Sequence, residues 1–449
     1  MSRKDRRLRQ HREQKKERRR AAGPGAGTRP IDDALRAAEA ELAANADLAR
    51  RMSASPADRT APAPWRQWGH DLDAEAIQQL RNACELPIAV RGALMPDAHV
   101  GYGLPIGGVL ATDNAVIPYA VGVDIACRVK LTVLDLPPTA IRGQAERLAR
   151  AIEEETRFGM GSEFEATRRR DHEVMTRDWS VSPITARFRD KAWSQLGTSG
   201  SGNHFVEFGI LTLDRDDLGL DAGDHLALLS HSGSRGTGAS VCDHYSKLAM
   251  ALHPDLPRHL RHLAWLDLDS DPGREYWAAM NLMGEYASAN HALIHQSITR
   301  HLGAKVLLDI ENHHNFAWKE EHDGREVIVH RKGATPASRG TLGIIPGSMA
   351  TPGFIVRGRG DEASLNSAAH GAGRVMSRSQ AKRSLRWNHA VPLFEQNGVQ
   401  VLSAGLDELP MVYKDIHAVM AAQADLVDRV ATFMPRIVKM APAGERAED

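Results

Sequence analysis

From residue 65 onward, short apolar runs alternate with turns rich in Gly and Pro, and amphipathic segments lie between them. Such runs are typical of β-strands, because a helix needs about ten residues or more to bury one face. They predict strands at 88–90, 107–111, 115–117, 129–133, 226–229 and 305–310. Helical patterns predict helices at 73–84, with Asp73 as N-cap, and at 139–156, 273–300 and 415–432. Because no repeat or composition break interrupts this stretch, we expect a single large domain of mixed α/β class.

Residues 1–64 differ in composition from the rest and predict an extension outside a folded domain at 65–449. The first 20 residues hold eleven Lys and Arg against three acids, although the whole chain has zero formal net charge. Residues 1–30 are too basic and too rich in Gly, Pro and Ala to bury a core, and 30–52 predict one helix. The basic run could contact nucleic acid or be a solvated tail. The segment 163–190, rich in Arg and acids, predicts a surface insertion.

The three cysteines of the chain, Cys84, Cys127 and Cys242, are odd in number and widely spaced. This pattern argues against a disulfide framework and favours a reducing compartment. The N-terminus has no apolar signal segment, and no apolar run reaches the length of a membrane span. We therefore expect a cytoplasmic protein in which a thiol is available as a ligand.

A candidate metal site begins with Asp124 and Cys127, which lie three residues apart in VGVDIACR. This spacing brings both side chains to one side of a turn and offers one hard and one soft donor. A surface aspartate beside a buried cysteine would have the same pattern, so the pair alone does not decide between these interpretations.

Four histidines follow a strand or a Gly-rich turn and have small polar neighbours: His204, His231, His314 and His370. Each could be an ordinary loop residue, but four such cases in one chain favour a shared site. The Gly-rich loop before Asn203 and the Gly-Ser pair after 344–346 could also present backbone N–H groups to an anion.

The stretch around His370 combines a histidine, two close glycines and three cations. Gly371 and Gly373 lack Cβ atoms and allow close approach of the backbone to a ligand, and Arg374, Arg378 and Lys382 follow at helical spacing. The pattern suits a phosphate. A helix N-terminus with a solvated basic face is the alternative for this stretch taken alone.

Taken in order, the motifs PDAHVGYGLPIGG, VGVDIAC, GSGNHF, HSGSRG, HHN, HRKGA, IPGSM and SxxHGAGRxxSRxxAK resemble the RtcB family of GTP-dependent RNA ligases over about residues 67–440. The resemblance implies that His370 becomes guanylylated and that Asp97 is a required carboxylate. It implies two Mn²⁺ ions, one held by Asp124, Cys127 and His204 and the other by Cys127, His231 and His314. Ligand chemistry alone would favour zinc.

The resemblance also assigns residues that hold the guanylate: Asn203, His204, Phe205, Val206, Glu207, His314, Asn315, Pro346, Gly347, Ser348, Met349, Gly371, Ala372, Gly373, Tyr413 and Lys439. It implies RNA-phosphate contacts by Arg235, Arg374 and Arg378. The chain departs from the family at Gly353, where a serine that touches the nucleotide is usual, and at Arg128, where glycine is usual.

The implied activity joins RNA 3′-phosphate or 2′,3′-cyclic phosphate ends to 5′-hydroxyl ends, using GTP, in tRNA splicing or RNA repair. An archease-like activator is a candidate partner, and we expect no membrane partner. Two other classes remain. A two-metal phosphoesterase would use the metal residues but not the HGAG and PGSM loops, and a non-enzymatic RNA-binding protein would leave the metal residues unexplained.

Overall fold

The computed structural model describes residues 29–58 and 60–445. In this part of the chain the α-helices are α1 Arg29–Ala44, α2 Ala46–Met52, α3 Ala74–Cys84, α4 Pro118–Val121, α5 Ala140–Gly143, α6 Ala145–Glu155, α7 Pro183–Gln195, α8 Arg235–Leu252, α9 Asp271–Leu302, α10 Arg378–Ser384, α11 Val391–Asn397 and α12 Ile416–Ala421.

The strands are β1 Trp65–Gln67, β2 Ala89–His99, β3 Ile106–Thr112, β4 Ala115–Val116, β5 Arg128–Leu134, β6 Arg157–Phe158, β7 Thr198–Gly200, β8 Phe205–Leu213, β9 Gly223–Ser232, β10 Leu266–Asp267, β11 Val306–His313, β12 Asn315–His322, β13 Arg325–Lys332, β14 Ala334–Pro336, β15 Leu342–Ile345, β16 Gly353–Gly358, β17 Ser367–Ala369, β18 Gln400–Ser403 and β19 Val427–Met440. These elements confirm the predicted mixed α/β class.

Two larger sheets organise the molecule. The first has the strand order β11-β5-β9-β8-β19-β16-β15, with β18 pairing in parallel to β19, and the second has the order β1-β2-β3-β13-β12. The neighbours along the first order are antiparallel. Because side chains alternate between the faces of a strand, each sheet presents one set of residues to a core and another set to its opposite face.

Helix α9 packs across the first sheet and contributes the largest share of one apolar core. Its N-cap is Ser270, whose hydroxyl accepts a hydrogen bond from Gly273 N at 3.1 Å, and it ends at Gly303 in the left-handed conformation. Its buried face is not purely apolar. His291 and His295 both hydrogen-bond to Ser230 Oγ on β9 at 2.8 Å, and burial lowers the pKa of each imidazole well below its usual value.

Most sequence-based elements agree with the structure. Asp73 caps α3 by accepting a hydrogen bond from Glu75 N at 2.8 Å, and α9 extends the predicted helix 273–300 by about one turn in total. All six predicted strands are present, several of them longer than predicted. Among the described residues, no helix combines the length and apolar character needed to cross a bilayer.

The predicted helix 415–432 is wrong beyond residue 421. Helix α12 ends at Ala421, and the chain then forms β19, which lies between β8 and β16. Buried and less buried residues alternate along much of β19. Hydrogen bonding to two neighbouring strands, a long-range contribution, outweighs the local preference of this segment for a helix.

The predicted surface insertion at 163–190 is also wrong as a description of the whole segment. Val174, Met175, Trp179 and Ile184 are buried in the same core as α8 and α9. Val174, Met175 and Trp179 lie in short 3₁₀ turns, so they follow neither a helical nor a strand period, and Ile184 lies in the first turn of α7. The surrounding charges hide these residues from pattern analysis.

The predicted extension 1–64 needs a correction at its C-terminal part. Residues 29–52 form α1 and α2 rather than one helix, and Leu48 and Met52 are buried against residues of α3 and β2. Arg51 donates a 2.7 Å hydrogen bond to Asp267, which is itself buried. Residues 29–52 therefore belong to the folded body, whereas the basic run 1–20 lies outside the described residues.

Replacing Leu48 tests whether the N-terminal helices stabilise the domain. Leu48→Ala removes a fully buried side chain, and we expect the free energy of unfolding to fall by about 2–5 kcal/mol in denaturant titrations. Asp47→Ala, one residue away with a 70% exposed side chain, should change it by less than about 0.5 kcal/mol. Equal stability of both variants would show that α2 does not contribute to the fold.

Candidate functional site

Four adjacent antiparallel strands each have one terminus at the same edge of the first sheet, and the candidate ligands lie at these termini. Cys127 immediately precedes β5, His204 immediately precedes β8, His231 is the penultimate residue of β9, and His314 immediately follows β11. Antiparallel neighbours bring the start of one strand beside the end of the next. In the observed register Val129 pairs with His231, and His231 pairs with Phe205.

The Cys127 thiol lies at the centre of this cluster. Its Sγ is 3.5 Å from His204 Nε2 and 3.1 Å from His231 Nε2, and His231 Nε2 is 3.2 Å from His314 Nε2. Asp124 Oδ2 lies 3.1 Å from His204 Nε2. The five residues form two groups that share Cys127, and within each group the donor atoms lie within 4.8 Å of one another.

Backbone carbonyls orient two of the imidazoles. His204 Nδ1 donates to Ser199 O at 2.9 Å, and His231 Nδ1 donates to Asn203 O at 3.0 Å. These bonds hold a proton on Nδ1 of each ring and orient Nε2 toward the thiol. Ser199 and Asn203 belong to the Gly-rich segment, so this loop also aligns ligands.

Burial favours the protonation states that bind a metal ion. Burial lowers the pKa of His231 to about 3 and that of His314 well below its usual value, so both imidazoles are neutral near pH 7. Burial alone would raise the pKa of Asp124, but the hydrogen bond and charge of His204 hold it below its usual value. A carboxylate, a thiol and three imidazole rings form a donor set that fits two adjacent divalent ions.

His370 lies beside this cluster and is held by Asp97. The His370 ring centroid is 4.9 Å from that of His314, and Nδ1 donates to Asp97 Oδ2 at 2.7 Å. The same carboxylate oxygen accepts hydrogen bonds from the backbone N–H groups of His370 and Gly371 at 3.1 and 3.3 Å. Asp97 is fully buried, so it fixes the orientation of the imidazole and leaves Nε2 as the ring nitrogen that it does not hold.

Glycine is required at Gly373 by its backbone and by its surroundings. Its φ is +73°, and an added Cβ would lie 2.0 Å from Asp97 O. The Asp97 backbone is further braced by His99, whose Nδ1 donates to Asp97 O at 3.1 Å, and by Lys414, which donates to the carbonyls of Pro96 and Ala98. The segment carrying the carboxylate and the loop carrying the histidine therefore pack directly against each other.

A cavity of about 750 Å³ joins the ligand cluster, His370 and most residues assigned to the nucleotide. Its walls include Asn203, His204, Phe205, Glu207, His314, Asn315, Pro346, Gly347, Ser348, Met349, Gly371, Ala372, Gly373 and Tyr413. Burial raises the pKa of the Glu207 carboxyl well above its usual value. Gly353 also lines the cavity, where a Cβ would approach the Cα of Pro346 to 3.1 Å.

Val206 and Lys439 do not line this cavity. Their neighbours on β8 and β19 do, so alternation along the strands places these two side chains on the opposite face of the sheet. Val206 packs in an apolar cluster there, and Lys439 Nζ lies 3.1 Å from Glu153 Oε1. The structure therefore corrects the predicted side-chain contacts of both residues with the nucleotide.

The three arginines assigned to RNA have different surroundings. Arg374 and Arg378 line the cavity, whereas Arg235 does not and is almost fully buried. Arg235 Nε donates to Thr198 Oγ1 at 3.1 Å, and its Nη1 lies 3.3 Å from His204 Nδ1. The structure thus places Arg235 behind a candidate metal ligand rather than on a surface that RNA can reach.

An acidic pair that pattern analysis missed holds the other two arginines. Arg374 Nη2 donates to Asp407 O at 2.7 Å, and Arg378 Nη1 donates to the Asp407 carboxylate at 3.2 Å and to the buried Glu408 carboxylate. The Tyr413 hydroxyl also donates to Glu408. Helix α10 begins only at Arg378, so Arg374 precedes it, and contact with the acidic pair rather than one helix face brings the cations together.

Lys332 is a third residue that sequence reasoning missed. It lines the cavity although its side chain is buried, and its Nζ donates to Tyr102 O at 2.6 Å. Burial lowers the pKa of this ammonium to about 8. The HRKGA motif was the available signal, because a lysine inside an apolar strand is unusual, but the strand alone does not show that its side chain reaches a cavity.

Gly233 offers a test of the ligand cluster that replaces none of the candidate ligands. An alanine Cβ would lie 2.1 Å from Asp124 Oδ2, so Gly233→Ala must displace the carboxylate. We expect Mn²⁺ affinity, measured by titration calorimetry, to fall about 10–100-fold. In the control Gly236→Ala, the added Cβ would lie 3.0 Å from the flexible end of Lys191 and 3.7 Å from Gln195 Oε1, which is an ordinary contact distance. Unchanged affinity in Gly233→Ala would exclude Asp124 as a ligand.

Comparisons with known proteins identify the family to which this chain belongs. A family model described as tRNA-splicing ligase RtcB matches residues 79–182 and 172–440. The RNA-splicing ligase RtcB of Escherichia coli (strain K12) is 35% identical over 417 residues, covering 83% of this chain and 96% of that protein.

Two further relatives are similarly close. The RNA-splicing ligase RtcB of Mycobacterium tuberculosis is 33% identical and covers 80% of this chain and 98% of that protein. The tRNA-splicing ligase RtcB of Archaeoglobus fulgidus is 32% identical, and the match covers 76% of this chain and 86% of that protein. The matched residues include every candidate ligand and His370, and the chain belongs to the RtcB family of splicing ligases.

Proposed function

We propose that this protein is an RNA ligase that uses GTP to join RNA 3′-phosphate or 2′,3′-cyclic phosphate ends to 5′-hydroxyl ends, in tRNA splicing or RNA repair. Family membership supports the RNA ligase activity. One observation carries the finer mechanism. A histidine held by a buried carboxylate shares a cavity with two groups of side chains whose donor atoms are close enough to hold a metal ion.

His370 is the proposed nucleophile. Asp97 accepts a hydrogen bond from Nδ1–H, so the lone pair of the attacking imidazole lies on Nε2, and the carboxylate stabilises the positive charge that develops during attack. Nε2 forms a bond to the α-phosphorus of GTP while the bond from that phosphorus to the bridging oxygen breaks. Pyrophosphate leaves, and the guanylate remains on the histidine as a phosphoramidate.

The later steps transfer and then release the guanylate. An oxygen of the RNA 3′-phosphate attacks the guanylate phosphorus, the N–P bond breaks, and His370 is regenerated. The 5′-hydroxyl of the second strand then attacks the RNA phosphorus, loses its proton, and displaces GMP. Activation is necessary because a bare 3′-phosphate has no leaving group that a hydroxyl can displace. A cyclic phosphate must first be hydrolysed to the 3′-phosphate.

The cluster around Cys127 would hold two divalent ions, which we propose are Mn²⁺. Asp124, Cys127 and His204 would bind one, and Cys127, His231 and His314 the other. When bound, the ions supply positive charge beside the reacting phosphates. Thiolate and imidazole also suit zinc, so metal analysis of the active protein must accompany the assays.

The cavity wall suggests how the nucleotide is held. The loops around Gly371 and Gly347 allow close approach of backbone N–H groups to phosphate. Glu207 is a buried carboxyl on the same wall, and it could accept hydrogen bonds from the N–H groups of guanine. Phe205 and Tyr413 supply aromatic surface there.

His370→Ala tests the covalent step. We expect it to abolish the label that α-labelled GTP and Mn²⁺ transfer to the protein, because a methyl group cannot act as nucleophile. His225→Ala is the control, because His225 lies near the opposite end of β9 from the site. This variant should be labelled like the unaltered protein. A labelled His370→Ala protein would place the nucleophile elsewhere.

The products distinguish a ligase from a phosphoesterase. We expect an RNA with a 3′-phosphate and one with a 5′-hydroxyl to be joined only with GTP and metal, with one GMP released per joint. Gel electrophoresis detects the longer strand, and chromatography detects GMP. End conversion without GTP and without strand lengthening would instead identify a two-metal phosphoesterase.

A further inference from the structure

The rim of the cavity carries exposed apolar side chains. Val100, Tyr102 and Val375 are 39%, 64% and 56% exposed, and all three line the cavity. Among the large apolar residues that the structure describes, Tyr102 is the most exposed. Single exposed apolar residues are common on proteins, but three at the opening of one cavity mark a place where a ligand can cover them.

The loop that carries Tyr102 is firmly built. Gln79 on α3 bonds to both backbone groups of Gly101, accepting from N at 3.0 Å and donating to O at 2.6 Å. Lys332 holds the Tyr102 carbonyl, and Gly103, at φ +72°, lies so close to His262 that a Cβ would meet its carbonyl oxygen at 2.7 Å. The aromatic ring is therefore held in solvent by a loop that is anchored through the Gly101 N–H and the carbonyls of Gly101 and Tyr102.

The ring also has a lateral support. The His262 ring lies edge-on to Tyr102 at 6.2 Å and packs against Tyr119 at 5.1 Å between centroids. With 64% of Tyr102 exposed, ring surface remains open for another planar group. Exposed, supported aromatic rings are the usual means by which proteins hold the bases of single-stranded RNA.

The position of the loop relates this ring to the reacting end. Lys332, which holds Tyr102 O, is followed by Gly333, where a Cβ would lie 3.1 Å from His370 Cε1. Asp73 and Glu75 at the start of α3 line the same cavity. Their negative charges disfavour a phosphate beside α3 and leave this part of the cavity suited to an uncharged base.

We propose that Tyr102 stacks on the base of the last nucleotide of the RNA strand that carries the 3′-phosphate. This inference rests on the proposed function, because the phosphate of that nucleotide is the group that enters the cavity toward His370. Stacking is tolerant of base identity, so Tyr102 would contribute to affinity for the RNA end without selecting a sequence.

A binding cycle tests the contact. Fluorescence anisotropy with a labelled 3′-phosphate RNA, without GTP, should show a Kd about tenfold higher for Tyr102→Ala, whereas Tyr102→Phe should stay within about twofold of the unaltered protein. An RNA whose last nucleotide is abasic should bind the unaltered protein about tenfold more weakly than the normal RNA does. Tyr102→Ala should bind the abasic and the normal RNA with equal affinity, because the stacking contact is already lost.

Leu307→Ala is the control, because Leu307 is 51% exposed on β11 and lies outside the cavity, and its Kd should not change. The thermal midpoint checks that Tyr102→Ala is folded. Equal Kd values for the unaltered protein and Tyr102→Ala, or an additive loss in the abasic cycle, would overturn the stacking contact. Guanylylation and strand joining by the unaltered protein test the proposed function separately, so the two failures are distinguishable.

Discussion

The register of four antiparallel strands is the constraint on which the site depends. β5, β8, β9 and β11 carry Cys127, His204, His231 and His314 at or beside the ends that meet at one sheet edge. A slip of one residue in any pair would turn a ligand to the opposite face. The apolar cores on both faces of this sheet oppose such a slip, because it would expose their side chains to water.

Buried polar contacts stabilise this edge from behind. Asn290 on α9 accepts hydrogen bonds from Gly197 and Thr198 N, and its amide donates to Thr198 O, so the helix holds the Gly-rich segment that orients His204 and His231. Arg235 adds a contact with Thr198. An unpaired polar group at such depth would cost about 1–3 kcal/mol, so these contacts define one arrangement of the loop.

Charge is arranged differently on the two sides of the cavity. Arg374 and Arg378 lie on one wall, but Asp407 and Glu408 offset much of their charge and hold them in place. The buried Lys332 contacts a carbonyl oxygen instead. This wall of the cavity therefore carries charges of both signs rather than a strongly basic surface.

The sequence by itself determined the chemical parts of this protein: the α/β class, most strands and helices, the family, and the residue types gathered around His370. Local patterns contain this information, because turns, caps and ligand types depend on neighbouring residues. The sequence did not show that Arg235 lies behind His204, that Lys439 points away from the cavity, or that Asp407 and Glu408 pair with the arginines. It also predicted a helix for the first residues of β19 and predicted that residues 29–52 lie outside the folded body. Only the tertiary structure decided these points, because each depends on which distant strand or helix packs against the residue, and a single sequence does not display those pairings.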